Sequence, residues 1–205
     1  MRLIFPLILG LAGAAVLVSL GIWQLGRAAE KDATLAAIEA RLTEAPVDLP
    51  PAPRSPADLY LPVAVEGVVD GPAIAVFDTW RGFGAGVRAV VPLRVGAASI
   101  PLDLGVRSWA PGTDPAAAAQ DAPPPGTVLR VEGNLDWPED GRAALSTPVL
   151  VAREVTPATA FTPIPVSAEG IPDNHMGYAI QWFGLALVWV GMTLYWVWRI
   201  RRRTS

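Results

Sequence analysis

The chain has 205 residues, a formal charge of −3, no cysteine and a single histidine. The missing thiols exclude a thiolate metal site, a redox pair and a cysteine nucleophile, and no basic patch points to nucleic acid. Any metal or acid/base chemistry the chain carries is therefore expected to centre on His175.

The first element is an apolar segment. From Leu3 to Gly26 there are 24 residues without a charge, and about 20 apolar residues suffice to span a hydrocarbon core as a helix. A cleaved signal has an apolar core of about 7–15 residues, so the longer run reads as a retained span. Residues 27–43 lack Gly and Pro and are rich in Ala, Glu and Leu, which predicts that the helix continues beyond the apolar stretch. Leu35, Ile38 and Leu42 form an apolar stripe on that extension. Gln24, Arg27 and Lys31 form a polar stripe. Interfacial anchoring explains its two cations, whereas an amide just inside the apolar region wants a partner. Gln181, at a similar depth in the second span, is the expected one. Prolines at 46, 50, 51, 53, 56 and 62 then enforce an extended linker.

Beyond Leu61 short β-branched runs are broken by Gly and Pro. They predict strands at Val63–Val69, Ala73–Asp78, Val87–Val95, Ser99–Val106, Thr127–Trp137 and Val149–Val155. Asp70-Gly71 and Asp140-Gly141 read as turns. Pro111 to Gly126 reads as a long surface loop, and Thr156 to Pro172 as a proline-rich connection. The expected fold is a small antiparallel β domain, sandwich or partly closed barrel, carried on two membrane helices.

The second span, Met176 to Trp198, holds 23 uncharged residues. His175, Trp182, Trp189 and Trp196 repeat every seven residues, and so do Gly177, Gly184 and Gly191. The two stripes fall on nearly opposite sides of a helix. Glycine stripes let backbones approach closely, so the simplest expectation packs this one on Gly10, Ala14 and Gly21 of the first span. The His/Trp face would then point elsewhere. An aromatic belt explains Trp182, Trp196 and Trp198; Trp189, near the bilayer centre, suits generic packing, a porphyrin or another membrane protein.

Arg2 precedes the first span, and Arg199, Arg201, Arg202 and Arg203 follow the second. The segment between carries 11 basic and 19 acidic residues, a net −8. Positive-inside logic places both termini in the cytoplasm. The expected organisation is a cytoplasmic N-terminus at 1–2, membrane helices at 3–26 and 176–198, an extracytoplasmic β-rich domain at 27–175 and a basic cytoplasmic tail at 199–205. In fold class this is an α+β membrane protein.

No G-x-S-x-G elbow, H-E-x-x-H or P-loop is present. One histidine is too sparse for a closed zinc site but is enough for a haem, which one axial imidazole can hold. An interfacial histidine that caps the helix or bonds to headgroups explains the same residue.

At both spans the residues resemble the surfeit-locus protein one family, assembly factors for cytochrome c oxidase. The first motif is G-x-W-Q-x-x-R-x-x-x-K, at Gly21, Trp23, Gln24, Arg27 and Lys31. The second is P-x-N-H-x-x-Y-A-x-x-W-F, at Pro172, Asn174, His175, Tyr178, Ala179, Trp182 and Phe183. Between them Arg107, Trp109 and Pro111 match a family N-R-G-W-V-P, with Ser108 in place of its Gly and Val106 in place of its Asn. The resemblance implies assembly rather than catalysis: haem a delivery to, or insertion into, oxidase subunit I, in a bacterial inner membrane with the β domain in the periplasm. It implies His175 as axial ligand to the haem iron, with Tyr178 and Trp182 on its side of the helix; Gln24 and Arg27 rank next as cofactor-binding residues. Arg27 would pair with a haem propionate. Implied partners are oxidase subunit I, haem-synthesis or other assembly factors, and membrane lipid. Two alternatives stand beside this: a haem-independent scaffold holding an oxidase assembly intermediate, and a membrane-anchored sensor of an extracytoplasmic ligand.

Overall fold

The computed structural model describes residues 3–80, 84–109, 112, 114, 117, 119–138, 148–168 and 174–202. The chain forms two compact units. Met1–Ala37 with Glu169–Ser205 make one, and Ile38–Ala168 make the other.

The first unit is a pair of helices, α1 (Ile4–Leu42) and α2 (His175–Arg202). Both are long and apolar enough to cross a membrane. As expected, α1 runs on without a break past its charge-free stretch, because residues 27–42 contain no helix breaker.

The second unit is β. Its strands are β1 (Pro62–Val69), β2 (Ile74–Trp80), β3 (Gly84–Val95), β4 (Ala98–Ser108), β5 (Val128–Asp136) and β6 (Val149–Thr156). All six predicted strands are present, with ends within a few residues of expectation. They join in the order β1-β5-β6-β4-β3-β2, and a further β1–β3 pairing closes the sheet. The sandwich-or-barrel choice is thus decided for a partly closed five-stranded Greek-key barrel, the architecture of OB-type domains. β2 lies outside the closed ring, paired only to β3. One pairing departs from the antiparallel expectation: β4 and β6 run parallel, at Leu102–Leu150 and Asp103–Val151. Closure needs β1 to cross closely onto β3, and Gly67 permits it. A side chain there would press on the carbonyl oxygen of Arg94 and on Leu93. The Asp70-Gly71 turn follows β1, with the Asp70 amide bonded to Pro92 O at 2.9 Å; Asp140-Gly141 lies outside the described residues.

Inside the barrel, Val63, Leu93, Leu102, Leu104, Leu129, Leu135 and Leu150 are fully buried. The outer side of β3, β4 and β6 is also covered. Val90, Val149 and Val151 form a second cluster against Val166, and Val106 bridges to Thr162 through paired backbone bonds of 2.9 and 2.8 Å. On this side Arg88 and Asp103 make a buried ion pair at 2.9 Å, and Asp103 also accepts the Gly105 amide at 2.9 Å. Gly105 itself has φ +99 and lies directly beneath the Thr162 carbonyl. Gly105→Ala would therefore add a strained backbone to a clash with backbone atoms. A loss of at least ~2 kcal/mol in denaturant unfolding is expected; a change within ~0.5 kcal/mol would refute the close approach.

The last turn of α1 belongs to this unit. Leu42 is buried, and its carbonyl accepts from Arg153 Nη1 at 3.2 Å and from Asn134 Nδ2 at 3.5 Å. These side-chain donors satisfy a carbonyl that a helix end otherwise leaves open. Of the predicted Leu35, Ile38 and Leu42 stripe, Leu35 and Ile38 are half-buried and Leu42 is buried.

Candidate functional site

The helix pair is antiparallel and joined by a ladder of unlike residues. Side-chain atoms of Thr193 lie over Gly10, the Trp189 indole over Gly13 and the Phe183 ring over Gly21. Trp189 also donates its Nε1 hydrogen to Gly10 O at 3.0 Å. The predicted glycine-on-glycine packing is therefore wrong. The small residues of α1 are used as expected, but they receive rings and a hydroxyl. Gly177, Gly184 and Gly191 have nothing within 4 Å of where a side chain would start. The physical reason is complementarity. Large side chains fill the notches that glycines leave, whereas two facing glycine lines would bring little side-chain surface into contact. Cysteines replacing Gly10 and Thr193 are expected to cross-link, and cysteines replacing Ala14 and Gly184 are not. The opposite pattern would restore the glycine-face packing.

This arrangement turns the histidine the other way from expectation. His175 is the first residue of α2, half-buried, and its Nδ1 lies 2.8 Å from Gln24 Oε1. Gln24 is only 9% exposed. The amide of Gln24 finds its partner, but it is His175 and not Gln181, which is exposed. Gln181 lies six residues along from His175, about 240° around the helix from it, so the two cannot share the face toward α1.

The bond has a chemical consequence. An amide oxygen only accepts, so Nδ1 must carry the hydrogen. In the neutral ring the lone pair then resides on Nε2, the tautomer needed for a metal ligand whose other nitrogen is fixed by a carbonyl oxygen. The donor set thus fits a single axial imidazole, as a haem requires. Among the described residues no three His, Asp or Glu side chains gather to hold a metal ion.

The other expected site residues fall into two groups. Trp182 is half-buried, seven residues on from His175 in the row that meets α1. Tyr178 is 50% exposed and Arg27 about as much. The Arg27 guanidinium is held by Glu30 at 2.6 Å on the same helix. A propionate would have to compete with that carboxylate. Of the flanking motif, Asn174 precedes the helix and accepts the Tyr178 amide at 3.0 Å; Pro172 and Asp173 lie outside the described residues. In the barrel, Arg107 pairs with Asp121 and Trp109 meets Phe77 edge-on at 5.0 Å. That motif is tied into its own domain; Ala110 and Pro111 lie outside the described residues.

Sequence reasoning missed Thr193 and the Gln24–His175 pairing, and it named Phe183 as a motif residue without its place over Gly21. For His175 and Thr193 the signal was the alternating three- and four-residue spacing of 175, 179, 182, 186, 189 and 193, which marks a helix-packing row; Phe183 lies beside that row.

The family model for the SURF1 family matches residues 11–187, from the first helix through the barrel into the second. The chain belongs to the SURF1 family. Members of this family are associated with cytochrome c oxidase assembly, as assembly factors rather than enzymes. Comparison with curated protein sequences returns no match. The match takes in Gln24 and His175, so the hydrogen-bonded pair belongs to the family portion of this SURF1 chain.

Proposed function

We propose that this SURF1-family protein spans a bacterial inner membrane twice and offers His175 as a transient axial ligand for haem a on its way to oxidase subunit I. The membrane reading is supported by the outward faces of both helices. Leu11, Ile180 and Leu187 are among many large apolar side chains left open there, a continuous surface that water would penalise and lipid would not. The basic residues beyond both spans support placing the two termini in the cytoplasm and the barrel in the periplasm.

The observation that carries the functional reading is the Gln24–His175 hydrogen bond. An interfacial histidine that merely meets headgroups needs no buried amide to orient it. A haem would bring an iron that takes an axial imidazole and an apolar macrocycle whose burial supplies much of the affinity. The Gln24 amide oxygen favours the tautomer with the hydrogen on Nδ1 and orients the ring, which is half-buried at the helix start. Such a ligand, supplied from one side only, suits release as well as capture.

The test is to purify the protein from cells that make haem a and record its visible spectrum. A haem band is expected, lost in His175→Ala and restored by free imidazole in His175→Gly. A band of undiminished strength in His175→Ala would overturn the assignment. Absence of haem from the unaltered protein, with oxidase subunits still co-purifying, would favour the haem-independent scaffold.

A further inference from the structure

The other end of the helix pair holds a cavity of 360 Å3, with Pro6, Leu9, Gly10, Trp189, Trp196 and Arg199 in its lining. Its walls are mostly apolar, and two of their polar groups are already engaged. Trp189 Nε1 donates to Gly10 O, and the Thr193 hydroxyl donates to Trp189 O at 2.8 Å. What remains is a largely apolar space lined also by Met192 and Tyr195, with the Arg199 guanidinium as its one charged group. No Asp or Glu occurs before Glu30 or after Asp173. Glu30 is 24 residues along α1 from Pro6, about 36 Å away at helical rise. The neighbouring Arg202 is already stacked on the Trp198 ring at 4.1 Å.

We propose that this cavity is a binding site for an anionic phospholipid, with one acyl chain in the cavity and the phosphate against Arg199. The occupant follows from charge and shape together. A chain of CH2 groups satisfies the apolar walls, and an anionic headgroup complements the Arg199 guanidinium, which meets no carboxylate side chain along this half of α1 or along α2. Basic pockets between membrane helices are a known setting for such headgroups. The site rests on the membrane-spanning reading above and is independent of whether His175 meets haem. Its role would be to hold α1 and α2 together at the end remote from the Gln24–His175 bond.

The experiment uses the full chain in phosphatidylcholine vesicles containing a minor fraction of lipid with brominated acyl chains, which quench tryptophan on contact. Brominated phosphatidylcholine reports insertion by itself; no quenching with it would remove the membrane reading and this site together. At equal bromine content, brominated phosphatidylglycerol is expected to reach half-maximal quenching at about five-fold lower fraction, the preference worth one cation at a membrane surface. Arg199→Gln should abolish that preference, whereas Arg199→Lys and Arg202→Gln should retain it. Leu9→Trp, which fills the cavity and keeps Arg199, should also abolish it. Equal quenching by the two headgroups would overturn the proposal. So would an equal loss in Arg202→Gln, the mark of a diffuse basic tail.

Discussion

Replacing Gln24 with leucine is expected to lower the haem loading proposed for His175 by about 10–100-fold while leaving the protein folded and inserted. The leucine keeps the bulk of the side chain but removes the oxygen that accepts from His175 Nδ1 at 2.8 Å. The imidazole then loses one of the contacts that orient it and fix its tautomer, so a smaller share of molecules presents Nε2 in the right form and direction. Structural loss alone would be small. A hydrogen bond between membrane helices contributes about 0.6 kcal/mol on average, close to a three-fold effect. Titration of the purified variant with haem separates the two. A drop near three-fold would reduce Gln24 to a packing residue, while a larger one, with the Gly10/Thr193 cysteine cross-link intact, marks it as the residue that positions His175.

The largest expected effect on stability lies in the barrel. Asp103→Ala leaves the Arg88 guanidinium on the covered side of β3 and β4 without the carboxylate that meets it at 2.9 Å. The Gly105 amide loses its acceptor as well. Breaking a buried pair from one side costs about 3–5 kcal/mol, because the remaining charge is desolvated and uncompensated. Removing both partners is expected to be milder: Arg88→Met with Asp103→Leu should recover most of the loss. Denaturant unfolding followed by the β-sheet circular dichroism signal of the full chain in detergent measures both variants. If the double variant is no more stable than Asp103→Ala, the pair contributes by more than mutual neutralisation.

Much of this architecture was legible before any coordinates. Strand positions follow from alternation and from Gly/Pro punctuation, which are local properties of backbone and side chain. The length of α1 follows from the absence of breakers between Gly26 and Leu42. Ring closure was not legible. The β1–β3 contact joins Val68 to Arg94 and Val69 to Leu93, and the parallel β4–β6 pair joins segments nearly 50 residues apart. Register across such distances depends on which apolar faces fill one interior, and no single strand encodes that.

The site divides in the same way. From the sequence alone came a lone histidine at a span boundary, a heptad row of tryptophans behind it, an amide in the first span that needed a partner, and the two motifs of the SURF1 family. Helical periodicity assigns residues to faces of one helix, and composition says which are small or large. It does not say which face of one helix meets which face of another. The tertiary structure decided that, setting Trp189 and Phe183 into the gaps at Gly13 and Gly21, and this rotation brings His175 onto Gln24 across 151 positions of chain. The physical reason is that contact between helices is won by filling space, so rings seek glycine notches, and the polar pair takes the register that this fit imposes.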